Sequence, residues 1–251
     1  MRTVFTLRRV ALWLLGLAAV VVAADFLTAW YEAGRHSDKL WLHRCNTTAK
    51  WLEKRGKFAH FEVDVRFTPE GKFDVAHEAA SSIGLGLERY FRLIGPDTTR
   101  VWLDIKNLSS ANADAMLAAL DSLTRRYAVS RSRLIVESGD WRALALFRRR
   151  GYYTSFYVPY APPSRLSAAE RSAAMAHLRR VAASGCVDAL SFPGWWYDEI
   201  HRHLHTVAID LLTWEHRKRR LWLLMLPRGR RMLADPQLKV ILVKDKGHYH
   251  R

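Results

Sequence analysis

Eight short apolar runs alternating with helical patterns constrain the fold of this chain more than any other feature of it. The pattern predicts strands over 39–42, 59–67, 101–105, 134–136, 154–158, 189–192, 207–212 and 240–243. Helical periodicity falls between most of them, over 47–55, 111–127, 141–150, 168–183, 197–205 and roughly 221–233. The stretch between Phe67 and Val101 is less regular. Strands that alternate with helices read as parallel βαβ units, because a parallel neighbour is reached only by a crossover. Eight such units in 251 residues fit a (β/α)8 TIM barrel. A doubly wound open sheet is the main alternative, but no Gly-rich phosphate loop follows the first run.

The N-terminus stands apart from this pattern. Arg8-Arg9 precede an unbroken apolar run from Val10 to Ala24. The run suits a signal-peptide core, with Val22-Ala23-Ala24 as a cleavage site, or a membrane anchor. The apolar character continues through Phe26-Leu27-Thr28-Ala29-Trp30-Tyr31, with aromatics where an interfacial belt belongs, which favours an uncleaved anchor. The expected organisation is an N-terminal hydrophobic helix over 1–31, a short linker over 32–38, and one barrel domain within 32–251. With the positive charges ahead of the run, the barrel is expected outside the cytoplasm, and secreted if the segment is cleaved.

Polar residues cluster where the predicted strands end. His43-Arg44 close the first run, Glu62 and Asp64 lie in the second, Asp104 and Lys106 close the third, and Glu137 closes the fourth. Strand side chains alternate faces, so Glu62 and Asp64 share a face, and so do Asp104 and Lys106. Each sits among apolar residues (Phe61, Val63 and Val65; Val101, Trp102, Leu103 and Ile105). A carboxylate buried there is costly unless a cation or hydrogen-bond donors hold it. Three carboxylates aimed at one place call for a hard divalent cation with oxygen ligands. In a barrel of this class, chemistry sits at the C-terminal strand ends, where these residues fall.

The order and spacing of these residues resemble the glycerophosphodiester phosphodiesterase-like barrels, the superfamily related to phosphatidylinositol-specific phospholipase C. The matching residues are His43-Arg44, Asn46-Thr47, Glu62-Val63-Asp64-Val65, Thr68-Pro69-Glu70-Gly71, His77-Glu78 and Asp104-Ile105-Lys106. The close match spans residues 40–107; the later strands fit only in pattern. Cys45 stands where the family usually has Gly, the loop before Asn46 is shortened, Asp104 replaces the usual Glu, and the insertion after the second histidine shrinks to about Glu78–Arg100. The tight start and the Leu-Asp-Ile-Lys strand also resemble menorin-type proteins, a branch of that superfamily.

The resemblance implies a phosphoric diester hydrolase acting on a glycerophosphodiester or a phospholipid headgroup. It implies that Glu62, Asp64 and Asp104 hold one Mg2+ or Ca2+ ion, that Arg44 and Lys106 bind the substrate phosphate, and that His43 and His77 act as general base and general acid. Glu137 is a candidate fourth ligand or supporting group. Trp195, Trp196 and Trp214 are candidates for the pocket wall. The shortened loop and Asp104 motivate the alternative, a barrel that binds a phosphorylated headgroup or glycan without turnover.

The formal net charge of +16 points to an anionic partner, a membrane surface or nucleic acid. No nucleic-acid motif accompanies it, so no nucleic acid is expected as a partner. The segment Arg217-Lys218-Arg219-Arg220, Leu221 to Leu226 and Pro227 to Arg231 reads as the seventh barrel helix or as a basic–apolar–basic patch for an anionic bilayer. Cys45 and Cys186 are expected at opposite ends of the barrel, too far apart for a disulfide. His201, His203 and His205 are expected on a surface helix or turn, without a ligand role.

Overall fold

The computed structural model describes residues 2–215, 223 and 225–245. His216, Arg217 to Trp222, Leu224, His248 and His250 lie outside the described residues, and with them seven of the fifteen residues of the basic–apolar–basic segment.

The strands are β1 (Leu40–Leu42), β2 (Phe61–Phe67), β3 (Phe73–Asp74), β4 (Val101–Ile105), β5 (Leu134–Ser138), β6 (Tyr153–Tyr157), β7 (Ala189–Pro193), β8 (Asp210–Glu215) and β9 (Leu238–Val243). The sheet runs β1-β9-β8-β7-β6-β5-β4-β2, and a β1–β2 pairing closes it. Every pairing around the ring is parallel. This is a closed eight-stranded (β/α)8 barrel, and the closure excludes the open-sheet alternative. β3 lies outside the ring, antiparallel to the end of β2, with Arg66 opposite Asp74 and Phe67 opposite Phe73.

The helices are α1 (Arg2–Arg35), α2 (Thr48–Lys54), α3 (Leu87–Ile94), α4 (Ala113–Arg126), α5 (Trp141–Arg149), α6 (Ala168–Ala183), α7 (Tyr197–Leu204) and α8 (Pro227–Ala234). Two of these differ from expectation. α1 runs on through Arg35, where a linker was expected. The irregular stretch between β2 and β4 contains α3, which buries Leu87, Tyr90, Phe91 and Ile94. That spacing is a one-sided helical stripe, obscured in sequence by the charged residues interleaved with it. His201 and His203 lie on α7 and His205 caps it.

Strand alternation separates two apolar layers. Phe61, Val63, Val65, Val101, Leu103, Leu134 and Val136 face the helices in the large outer core. Trp41, Trp102, Ile135, Ala189, Leu212, Trp214, Val240 and Leu242 fill the barrel interior as a separate cluster. Each fully buried aliphatic or aromatic side chain contributes about 1.5–3 kcal/mol relative to exposure, so the outer layer holds the strands in register. The register sets Asp64 beside Asp104 and Asp104 beside Glu137, on the same inward face as Trp102 and Ile135.

Candidate active site

β1 ends at Leu42, and the next residues turn into the mouth of the barrel. The His43 N–H continues the ladder to the Val243 carbonyl at 3.0 Å. Arg44 then takes φ 50, a left-handed conformation that costs a non-glycine residue roughly 1–2 kcal/mol. The strained turn aims the Arg44 N–H at Glu62 Oε2, 2.6 Å away. Buried Lys50, from α2, steadies it by donating to the His43 and Arg44 carbonyls at 3.0 and 2.7 Å. Tyr90 from α3 donates to the Cys45 carbonyl. Strain held by such surroundings is a mark of functional sites.

The three acidic residues converge. Glu62, Asp64 and Asp104 each offer a carboxylate oxygen, and these oxygens lie within 4.8 Å of one another. Glu62 and Asp64 are 2% and 1% exposed. Asp64 is bracketed by Asn46, whose Nδ2 donates to Oδ2 at 2.7 Å while its Oδ1 accepts the Asp64 N–H at 3.0 Å. Lys106 Nζ bridges Asp64 Oδ1 at 2.6 Å and Asp104 Oδ2. Burial, followed by the charges of Asp64 and Asp104, raises the Glu62 carboxyl well above its ordinary value. Burial also raises Asp104, with Lys106 opposing it and Asp64 adding to it. For Asp64 burial pushes upward, but Lys106 and Asn46 outweigh it and hold the group below the ordinary value. Lys106 is raised: burial opposes its charge, and the carboxylates of Asp104 and Asp64 prevail.

The histidines flank this cluster. His43 is 6% exposed, and its Nε2 lies 3.8 Å from Glu62 Oε2. His77 follows β3. Its Nε2 faces Arg44 Nη2 at 2.9 Å, and its Nδ1 faces Glu78 Oε1 at 3.1 Å. A guanidinium can only donate, so His77 Nε2 accepts and its proton sits on Nδ1, toward Glu78. Arg44 Nε is also 3.9 Å from Asp64 Oδ2, so the guanidinium spans the mouth from the acidic cluster to His77.

Glu137 lines the same pocket but stands outside the three-carboxylate cluster. Its two oxygens accept from Trp102 Nε1 and from Ser191 Oγ, the latter at 2.5 Å. Burial and the neighbouring Asp104 charge raise it well above its ordinary value.

The three carboxylates, His43, His77, Arg44, Lys106 and Glu137 open into one cavity of about 200 Å³ at the C-terminal end of the barrel. One wall is charged. The opposite wall is aromatic, formed by Tyr157, Tyr160, Trp195 and Trp214, with Tyr157 and Trp214 stacked at 5.5 Å. Trp195 and Trp214 thus take the expected position. Trp196 does not: it is fully buried in the outer core, because the short 3-10 turn Gly194–Trp196 turns neighbouring side chains in different directions. Cys45 is buried behind the site, and Cys186 lies at the opposite end, before β7.

Asn46, Lys50, Tyr90 and Ser191 support the site through contacts that the sequence pattern does not mark. Asn46 was visible as part of a motif, but nothing local marked its pairing with Asp64. Lys50 and Ser191 carried no signal, since a lysine on a short helix and a serine in a strand are ordinary.

As a cation site the cluster fits a hard divalent ion. All the ligand atoms are oxygens, and three carboxylates exceed the two cations, Lys106 and Arg44, that face them.

No family model matches this chain, and no curated protein matches it. Solved structures do. Glycerophosphodiester phosphodiesterase from Parabacteroides distasonis is 13% identical, covers 83% of this chain and 94% of its own, and has a TM-score of 0.55. A phosphodiesterase from Oleispira antarctica, in complex with sn-glycerol-3-phosphate, is 11% identical over 82% of this chain and 92% of its own, with a TM-score of 0.57. A protein assigned as an L-alanine-DL-glutamate epimerase from Burkholderia xenovorans also aligns, at 12% identity over 82% of this chain and 57% of its own, with a TM-score of 0.53. Likeness at this identity establishes the barrel and leaves function to the site.

Proposed function

We propose that this chain is a metal-dependent phosphodiester hydrolase of the glycerophosphodiester phosphodiesterase-like superfamily, anchored to a membrane by α1. One observation carries the reading: Glu62, Asp64 and Asp104 bring carboxylate oxygens within 4.8 Å of one another at the end of the barrel where His43, Arg44, His77 and Lys106 also gather. Several structural neighbours are phosphodiesterases, one of them in complex with a phosphomonoester product, which supports the same reading.

Glu62, Asp64 and Asp104 would hold one Mg2+ or Ca2+ ion, which supplies charge neutralisation at a phosphodiester oxygen. Arg44 turns from His77 to grip phosphate oxygens with its planar fork, and Lys106 adds a fixed positive charge beside Asp64 and Asp104. His43, held against Glu62, takes a proton from the attacking water or substrate hydroxyl. His77 Nε2, released from Arg44, takes up a proton from solvent and delivers it to the leaving oxygen. The aromatic wall holds the less polar part of the substrate. α1 has the length and composition of a membrane span from Arg8 to Tyr31. Arg8-Arg9 ahead of it favour an extracytoplasmic barrel, and the net charge of +16 favours an anionic bilayer surface.

The test is hydrolysis of a phosphodiester panel by the full chain in detergent, with a chelator or with added Mg2+ or Ca2+. Activity should require the ion. His43→Ala and His77→Ala should each lose about 10²–10⁴-fold in kcat while the far-ultraviolet circular dichroism stays unchanged. Full activity in either variant, or activity indifferent to the chelator, would remove the assignment.

A further inference from the structure

The catalytic groups treat a soluble diester and a bilayer diester alike, but the path of α1 distinguishes them. From Arg8 to Tyr31 the helix is apolar, and its most apolar window is entirely unpacked. Leu12, Trp13, Leu14, Leu17 and Val20 are each more than 60% exposed. Its contacts with the barrel lie in its C-terminal part. Ala29 is buried, and Arg230 of α8 donates to the Asp25 carboxylate at 2.6 Å. Just beyond the helix, Lys39 Nζ donates to the carbonyls of Leu233 and Asp235 at 2.8 and 2.9 Å.

These contacts fix a direction. From Asp25 to Lys39 the chain passes along α8 from Arg230 to Asp235. The C-terminal end of α8 leads into β9 and therefore lies at the end of the barrel where strands begin. Its N-terminal end lies where strands finish: there Arg228 donates to the carbonyl of Gly194, directly after β7, and both neighbours of Gly194 line the catalytic cavity. α1 therefore descends from the catalytic end toward the far end. Traced backward from Asp25, it leaves the barrel past the catalytic face.

Length sets how close that face comes to the bilayer. At about 1.5 Å per residue, Arg8 to Ala24 extends about 25 Å, against a hydrocarbon layer of about 30 Å. The Asp25–Arg230 pair at one end and Arg8-Arg9 at the other stay out of hydrocarbon. A span this short draws the headgroup layer to the level of Asp25, leaving no gap between bilayer and barrel. Trp195 at the cavity rim is 45% exposed, and Ile83, in the loop after His77, is 66% exposed. Tryptophan favours the membrane interface.

Resting on the phosphodiesterase reading and on α1 as a span, we propose that the barrel sits with its catalytic mouth against the bilayer and that its substrate is a membrane lipid phosphodiester. The headgroup enters the cavity of about 200 Å³ while the acyl chains stay in the membrane. Water oxygen bonds to phosphorus, one P–O ester bond breaks, and the departing oxygen takes a proton. The products are a phosphomonoester and an alcohol, one of which remains in the bilayer.

The experiment reconstitutes the full chain in vesicles of phosphatidylcholine and phosphatidylglycerol in equal parts. Single fluorescent labels are placed at Ser82→Cys, in the loop near the mouth, or at Ser132→Cys, at the opposite end, both in a Cys186→Ser background. Lipids carrying a headgroup nitroxide should quench the label at 82 several-fold and leave the label at 132 unchanged. Hydrolysis of vesicle phosphatidylglycerol should exceed that of soluble glycerophosphoglycerol several-fold. Failure of the chain to float with vesicles, quenching at 132, or quenching at neither site would overturn the orientation. Equal or faster hydrolysis of the soluble diester would overturn the substrate class. Cleavage of neither diester, with quenching at 82 alone, would bring down the phosphodiesterase reading and the substrate class with it, while the orientation would stand.

Discussion

Replacing Lys106 by methionine keeps most of the side chain's length and removes only the charge. In the native site Lys106 Nζ bridges Asp64, at 2.6 Å, and Asp104. Its side chain is 19% exposed and that of Asp64 is 2% exposed, so solvent screens this pair weakly. Without Lys106, three carboxylates face Arg44 alone. Breaking a buried pair by removing one partner costs about 3–5 kcal/mol, because the remaining charge is left uncompensated. At about 2–4 °C per kcal/mol for a chain of this size, the melting temperature in chelator should fall by about 6–20 °C. A divalent ion at 100 times its dissociation constant restores about 2.7 kcal/mol by mass action. Added Mg2+ or Ca2+ should therefore raise the melting temperature of Lys106→Met more than that of the native chain, in which the ammonium already offsets two of the carboxylates. Thermal denaturation followed by circular dichroism in detergent reads both effects. A variant that melts with the native chain in chelator would show that Lys106 does not hold those charges together. A variant that melts low and ignores both ions would show that the carboxylates do not form a cation site.

Glu137 should make stability depend on pH. Its folded value is raised above the ordinary carboxylate range by burial and by Asp104, so between those values the folded state binds more protons than the unfolded one and stability falls as pH rises, by up to about 1.4 kcal/mol per pH unit. Glu137→Gln should flatten that slope, since the amide oxygen can accept from Trp102 while its NH2 donates to Ser191 Oγ, whose hydrogen can turn to the Phe156 carbonyl at 3.1 Å; an unchanged slope in denaturation curves across pH would refute the assignment. Gly229 is held in α8 against Leu223, whose carbonyl oxygen would lie 1.6 Å from an added Cβ. Gly229→Ala should destabilise by at least about 1–3 kcal/mol, the range for overpacking, and a melting temperature equal to that of the native chain would show that α8 yields freely there.

Much of the site was legible because its residues sit at strand ends, where period-two alternation alone puts Glu62 with Asp64 and Asp104 with Lys106 on single faces. The alternation of apolar runs with helical patterns likewise determined the βαβ class and the eight strands of the ring, but not the added β3. Local pattern could not show that β9 closes on β1, because that pairing joins the two ends of the barrel domain, and closure is what gathers the strand ends around one cavity. Nor could it show the left-handed turn at Arg44, the bracket of Asn46 on Asp64, or the capture of Glu137 by Trp102 and Ser191, 35 and 54 positions away. Those contacts depend on barrel register, which side-chain packing around the whole ring decides. The sequence alone determined that residues 8–31 are apolar enough to leave water. Only the tertiary contacts of Asp25 and Lys39 with α8 decided which end of the barrel that helix leaves from, because direction is a property of the packed barrel and not of any single segment.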